Sequence, residues 1–467
     1  MFKNRICIDK KRIMKSILII GGGFSGVATA IQLLRQAGNR PLYITLLNRS
    51  PFMARGLAYG TQSPEHTLNV PVGNMSALDD DPEHFLRYMK IRDPEVGAGS
   101  FVSRKSYGDY LEYLLTHTPL PPGTRLQRLT GRAIRIEYLG GQGRVTLDNG
   151  KTLGAHKIVL AFGNFHADHP YLEDMSFYDS TRYIGDPWDQ RRLNAIGSDE
   201  PVLLLGTGLT AIDVTVSLLN RSSHRKIVAV SRRGLLPQRH RAHGGKPSGE
   251  DRAAAILGYA NTVRTQLHAF RKYINAEAAV GGDWRDALTA LRPATQKLWC
   301  AYPEVERRRF LRHLQPYWDS HRHRIPPATF DYFNSARETG VVQTQAARII
   351  SLVESKHGVE AVLRPRGNQG LTSVQVSKVI NCTGPNSNLS TVNCALVQQL
   401  LKDGMIHPDR LCLGLDVGEH CEVLDATGRP SGFLYYIGPW LKASYWEATA
   451  VPELRRFARE LATSLLI

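Results

Sequence analysis

Two glycine-rich turns set the chemistry open to this chain. The first, Gly21-Gly22-Gly23-Phe24-Ser25-Gly26, directly follows the apolar run 17–20 and fits G-x-G-x-x-G. In that pattern the first glycine allows a tight turn and the second lets a pyrophosphate approach the backbone. The third lets the following helix pack on the strand. Gly21, Gly23, Phe24, Ser25 and Gly26 are therefore candidate cofactor contacts. The second turn, Gly206-Thr207-Gly208-Leu209-Thr210-Ala211, follows the apolar run 201–205 and fits G-x-G-x-x-A. It offers Gly206, Gly208, Leu209 and Thr210. Two phosphate cradles in one chain imply two nucleotides held close together.

Other residue types narrow the chemistry by what they do not form. The six cysteines are scattered without a C-x-x-C pair, which argues against a disulfide scaffold, a structural zinc site and a dithiol redox centre. No Ser/His/Asp or Cys/His arrangement stands out. His313, His321 and His323 are close in sequence, but on a helix and its end they read as surface or structural histidines. No metal site is expected.

The elements that must position the cradles are legible as patterns. After the first turn, Val27, Ala30, Ile31 and Leu34 mark one face of a helix that Gly38 stops. The apolar run 43–47 completes a strand–helix–strand unit. It ends at Asn48-Arg49, where a ribose-binding acid is usually expected; Asn48 can still exchange hydrogen bonds with ribose hydroxyls. The glycine- and proline-rich stretch 54–71 reads as a long loop that wraps a ligand. Helices are expected over 82–90 and 107–116. Alternation at Ile134, Ile136 and Tyr138, then at Val145 and Leu147 before the turn at 148–150, predicts a β-meander. The run 157–163 is a buried strand ending at Gly163.

The same series then repeats. The second cradle is followed by a helix to about 219 and a strand over 227–230, then by a helical region over 251–320 that includes 284–298 and 303–318. Alternation returns over 341–362 and 372–376, and 378–385 is another strand running into glycine. A last buried strand, 433–438, ends at Gly438. The terminal helix, entered near Pro452, carries Leu454, Phe457, Leu461 and Leu465.

A length of 467 residues suggests two or three domains. Hydrophobic and charged fractions of 42% and 22% fit a globular protein. No apolar run approaches the roughly 20 residues that span a bilayer. The leader 1–13 is basic but has no apolar core, so it does not read as a secretory signal; Met14, directly before the first strand, is the expected start, and the cytoplasm the expected compartment. The net charge of +17 is concentrated in 221–325, with 21 Lys/Arg against 8 Asp/Glu. Most of that excess is arginine, without a nucleic-acid-binding signature. An arginine-rich surface, partly serving anionic ligands, is the plainer reading; neither nucleic acid nor membrane is expected as a partner.

Together these motifs resemble the bacterial FAD/NAD(P)-binding flavoproteins that include an FAD-dependent urate hydroxylase and amino-acid N-hydroxylases. The likeness covers the first glycine loop, 56–59, 68–71 with Met75-Ser76, 107–111, 206–213, 231–237, 309–313 and 446–455. It implies an α/β fold with two Rossmann-like domains. The FAD domain would be discontinuous (14–180 and 385–467). The NAD(P)H domain (181–384), with its helical insertion, would lie between. The implied cofactors are FAD and NAD(P)H, with O₂ as co-substrate. Hydride passes to the flavin, reduced FAD activates O₂ as a hydroperoxide, and an oxygen atom is transferred.

Asn69, on an Asn-x-Pro loop that similar oxygenases place over the flavin, is the implied catalytic residue. Ser231, Arg232 and Arg233 stand where the second adenosine ribose should lie, which favours NADPH over NADH. Two positions depart from the pattern: Asn48 replaces the usual acid, and Gly438-Pro439 replaces a Gly-Asp pair. The expected activity is an NAD(P)H-dependent monooxygenase on a small anionic substrate, urate first. An N-hydroxylase of an amino acid or amine is the alternative, and a redox sensor that holds FAD without fast turnover a further one.

Overall fold

A computed structural model describes residues 14–241 and 262–467. The leader 1–13 and the opening of the helical region, 251–261, lie outside the described residues.

Strands β1 (Lys15–Ile20), β2 (Leu42–Asn48) and β3 (Arg125–Thr130) begin the first sheet. β4 (Ala133–Leu139), β5 (Gln142–Leu147) and β6 (Thr152–Ala155) form a separate antiparallel meander, and β7 (Lys157–Leu160) returns to the first sheet. The second sheet takes β8 (Tyr183–Ile184), β9 (Val202–Leu205), β10 (Ile227–Ser231), β11 (Val342–Ser355), β12 (Gly358–Pro365), β13 (Thr372–Val376) and β14 (Lys378–Asn381). Its order is β13-β12-β11-β10-β9-β14-β8. The chain then rejoins the first sheet through β15 (Glu422–Leu424) and β16 (Pro430–Tyr436), giving the order β15-β16-β7-β1-β2-β3.

The two sheets repeat one plan. β1 lies between parallel β2 and β7, and β9 lies between parallel β10 and β14. Both central strands are apolar because parallel strands are covered on both faces; Val202 to Leu205 are all at most 1% exposed. Each central strand runs straight into its glycine turn and then a helix: α1 (Phe24–Gln36) in the first unit. The first unit also carries α2 (His84–Arg92) and α3 (Arg104–His117). The second has the short α4 (Gln190–Asn194) and α5 (Leu209–Arg221), which follows its own glycine turn. In the first unit the meander is detached. In the second, β11 leaves β10 to pair antiparallel with β12, so the meander is an extension of the sheet.

The structure corrects several expectations. α1 is buried from Phe24 through Leu34, not on one face alone, because the terminal helix Val451–Leu466 covers the side turned away from the sheet. The meander does not keep a simple alternation. A bulge between Ala133 and Arg135 shifts the register, so Ala133 and not Ile134 joins Ile136 in the core; Tyr138, towards the end of the strand, is 52% exposed and stacks on Phe433. β3 lacks an apolar pattern and was not foreseen; as an edge strand it needs none.

The expected helix over 303–318 is three pieces: Glu304–Arg309, a π turn Phe310–Leu314, and Gln315–Arg322. Pro316 has no N–H for the carbonyl of Arg312, and the Arg233 guanidinium donates to that oxygen at 2.8 Å instead. The helix Pro327–Glu338 was also missed.

Candidate functional site

The two cradles are built alike. Gly21 and Gly206 have φ of +121° and +112°, and a Cβ on either would meet a carbonyl oxygen, of Ala161 at 2.3 Å or of Cys382 at 2.5 Å. Only glycine fits there. Gly23 and Gly208 are the N-caps of α1 and α5. Neither helix start has a side-chain cap or an acid in its first turn. Their free N–H groups and positive dipole ends suit a phosphate. A Cβ on Gly208 would meet nothing within 4 Å, and one on Gly23 only the Gly56 Cα at 3.5 Å, so both cradles leave room for a ligand. Phe24, Ser25, Leu209 and Thr210 lie in the first turns of these helices. The residues present therefore fit two dinucleotides, FAD and NAD(P)H.

The last residue of each second strand has a part that sequence reasoning did not assign. Asn48 Oδ1 accepts from the Gly22 N–H at 3.2 Å, while its amide nitrogen donates to the carbonyls of Ser50 (2.9 Å) and Phe52 (3.0 Å). The matching Ser231 accepts from the Thr207 hydroxyl at 2.8 Å and from the Gly234 N–H at 3.0 Å. Gly22 and Thr207 are the middle residues of the two turns. Both ribose-position side chains are thus fasteners that hold a glycine turn to its neighbouring loop. Arg49, next to Asn48, makes no hydrogen bond or ion pair among the described residues.

Arg232 and Arg233 line a cavity of about 560 Å³ together with Arg312, Arg348, Arg364 and Arg366. His313 joins them, and no carboxylate lines the cavity. Arg232, Arg348 and Arg364 form no ion pair among the described residues. The sequence singled out two of these arginines. The π turn supplies Arg312, and β11, β12 and the residues just after them supply Arg348, Arg364 and Arg366 from over 100 residues away; only their shared positive charge could have hinted at it.

Gly163 and Gly438 end β7 and β16 side by side. Gly438 has φ of +152°, and a Cβ there would lie 2.5 Å from the Phe162 oxygen. Pro439 supplies no carboxylate, and the Tyr436 hydroxyl fixes this corner by donating to the Phe162 carbonyl and accepting from the Trp440 N–H. Further on, Trp446 adopts φ +57°, ψ −64° in a three-residue turn closed by the Glu447 N–H on the Tyr445 carbonyl. Arg322 pairs with Glu447 and Arg292 with Glu453, which fixes the start of the terminal helix. That helix start has no side-chain cap.

Asn69 lies where the two units meet. Its carbonyl accepts from His240 Nε2 at 3.0 Å. Burial, reinforced by Arg324, pushes the His240 pKa down to about 4; at neutral pH the ring is uncharged and carries its proton on Nε2. The same junction holds Arg104 on Asp213 (2.6 Å), His66 Nε2 on the Ser217 hydroxyl (2.7 Å) and Thr67 on Thr329 (3.1 Å). A mostly apolar cavity of about 490 Å³ reaches Trp446 between the helices of the insertion, lined by Phe270, Trp299, Phe310 and Trp318. Among the described residues no group of three His, Cys, Asp or Glu could hold a metal ion, and no helix is long and apolar enough to cross a membrane.

Residues 18–165 match a family model described as FAD-NAD(P)-binding. No curated protein matches the chain. Solved structures do. A Kutzneria ornithine N-hydroxylase in complex with reduced FAD, NADP⁺ and L-ornithine aligns over 97% of this chain and 99% of its own, with TM-score 0.66 and 11% identity. A Pseudomonas syringae L-lysine 6-monooxygenase aligns over 96% and 98%, with TM-score 0.65 and 17% identity. An FAD-bound Erwinia amylovora cadaverine monooxygenase aligns over 97% and 94%, with TM-score 0.57 and 14% identity. At such identities the likeness is one of fold: the chain has the architecture of the FAD- and NAD(P)-binding flavoproteins.

Proposed function

We propose that this chain, an FAD-NAD(P)-binding protein over residues 18–165, is an NADPH-dependent flavin monooxygenase that oxygenates a small primary amine. In this reading the first sheet's unit, from both ends of the chain, holds FAD and the unit between holds NADPH. The observation that carries it is the pair of uncapped, open phosphate cradles on adjoining units, with the Asn69 loop clasped between them. The substrate follows the solved neighbours, which act on ornithine, lysine or cadaverine. Urate has no such support and gives way to the amine.

When bound and reduced, FAD supplies activation of O₂ and transfer of an oxygen atom. The chain's own residues position and enclose. The N-termini of α1 and α5 hold the two pyrophosphates, and Asn48 and Ser231 keep their turns in shape. Arg232, Arg348 and Arg364 take the 2′-phosphate of NADPH, which NADH lacks. Asn69 offers its amide to the flavin, with its carbonyl pinned by neutral His240. The junction at Arg104–Asp213 closes the cleft between the units and limits water. Neither proton transfer nor a nucleophile is asked of a side chain.

The test is anaerobic reduction of the purified yellow protein. NADPH should bleach it, NADH more weakly. In air, L-lysine or L-ornithine should accelerate NADPH loss and yield a hydroxylamine. A flavin that NADPH does not bleach would leave a sensor that holds FAD as the better reading.

A further inference from the structure

A cation without a counter-charge stands beside the Asn69 loop. Residues 238–240 and 325 form a short parallel bridge: Ile325 N–H donates to the Gln238 carbonyl and His240 N–H to the Ile325 carbonyl. Extended residues alternate sides, so Arg324 and His240 project from the same face of this bridge. His240 reaches the Asn69 carbonyl from that face. Arg324 accompanies it with Nε sealed from solvent and no hydrogen-bond partner.

The surrounding charges explain why Arg324 stands apart. Asp283 is held by Arg241 at 2.8 Å and by Arg285 at 3.2 Å, and Asp286 by Arg241 at 2.6 Å. Glu447 is held by Arg322 and Glu453 by Arg292. Arg324 itself forms no ion pair among the described residues; the Trp284 ring lies under it at 6.0 Å. Burial and the neighbouring arginines push its pKa down to about 10. A half-buried guanidinium whose sealed Nε has no partner is destabilising unless something pairs it.

We propose that Arg324 anchors a carboxylate of the substrate, so that the amine acted on belongs to an amino acid and not to a plain diamine. This rests on the amine reading above. One unpaired guanidinium matches one negative charge, which favours a carboxylate over a dianionic phosphate, and its planar fork suits the two carboxylate oxygens. Beside it, His240 is neutral and does not compete for the anion. The anchored acid leaves the rest of the molecule to lie along the Asn69 loop.

The experiment titrates the oxidised, FAD-loaded protein with hexanoate, L-lysine and cadaverine and reads the flavin absorbance difference. Hexanoate carries the acid without the amine, and cadaverine the amines without the acid. Hexanoate and L-lysine should perturb the wild-type spectrum, and Arg324→Gln should weaken both about thirtyfold. Arg324→Lys should recover part of that loss, and Arg239→Gln, on the same bridge but paired with Asp331, should leave both titrations unchanged. The proposal is overturned if hexanoate leaves the wild-type spectrum unmoved, if Arg324→Gln titrates like wild type, or if cadaverine binds as well as L-lysine. Loss of FAD or of NADPH reduction in Arg324→Gln would assign the guanidinium to a cofactor and overturn it as well. Failure of the amine reading looks different: hexanoate still binds through Arg324, and no hydroxylamine forms from any amine.

Discussion

At the residue scale, the cradles divide into glycines that the fold needs and glycines that the ligand needs. A Cβ on Gly26 would lie 1.9 Å from the Gly21 oxygen, so Gly26→Ala should destabilise the protein by about 3 kcal/mol or more in a urea melt. Gly23 and Gly208 have extended backbone and open space. Gly23→Ala should therefore melt like wild type yet retain little flavin after gel filtration. Gly208→Ala should stay yellow and lose reduction by NADPH. The reverse pattern would exchange the two cofactors. His240 adds a pH dependence. Its folded pKa of about 4 lies below the ordinary 6.5, so unfolding takes up a proton between those values. Stability from this group is complete above pH 6.5 and falls as pH drops towards 4, by of order 3 kcal/mol. Melts at pH 7 and pH 5 should show a smaller difference in His240→Gln; an unchanged difference would place the titration elsewhere.

At the element scale, the strand–turn–helix units were legible because each rests on a contiguous signal: an apolar run, fixed glycines, an amphipathic helix. Pairings between distant segments were not. The arginines of β11–β12 reach the Arg232 cavity only because β11 pairs parallel with β10 and then leaves it for β12. Asn48 was read as a ribose contact because its position is usual for one; its three bonds to the turn and loop depend on how the chain folds back over 50–52. Ile134 yields its core place to Ala133 through a one-residue bulge that alternation cannot reveal. If the hairpin arginines serve the 2′-phosphate, Arg348→Ala with Arg364→Ala should raise the NADPH KM about tenfold to a hundredfold and leave that of NADH within about twofold. Equal effects on both would remove the phosphate role.

At the scale of the whole molecule, well-buried ion pairs join the two units, Arg322 with Glu447 and Arg104 with Asp213, and the second of these stands at the cradles. Asp213 is 8% exposed, on α5 directly behind the second cradle, while Arg104 starts α3 in the first unit and also donates to the Thr67 carbonyl at 3.2 Å. Arg104→Ala leaves that carboxylate buried and unpaired, at a cost of about 3–5 kcal/mol in a thermal or chemical melt. A loss below 1 kcal/mol would mean the junction relaxes without it. The junction also brings Asn69, His240 and Arg324 together from three distant parts of the chain, which is why family-level chemistry was readable and the substrate end was not.

The central claim is that two nucleotides across this junction drive oxygen transfer to an amine. Its most direct measurement is the product balance during turnover with L-lysine or L-ornithine, NADPH and air. The account predicts that the amine accelerates NADPH oxidation and that hydroxylated amine accounts for most of the NADPH consumed. NADPH oxidation that yields only hydrogen peroxide, at a rate no amine changes, would contradict it.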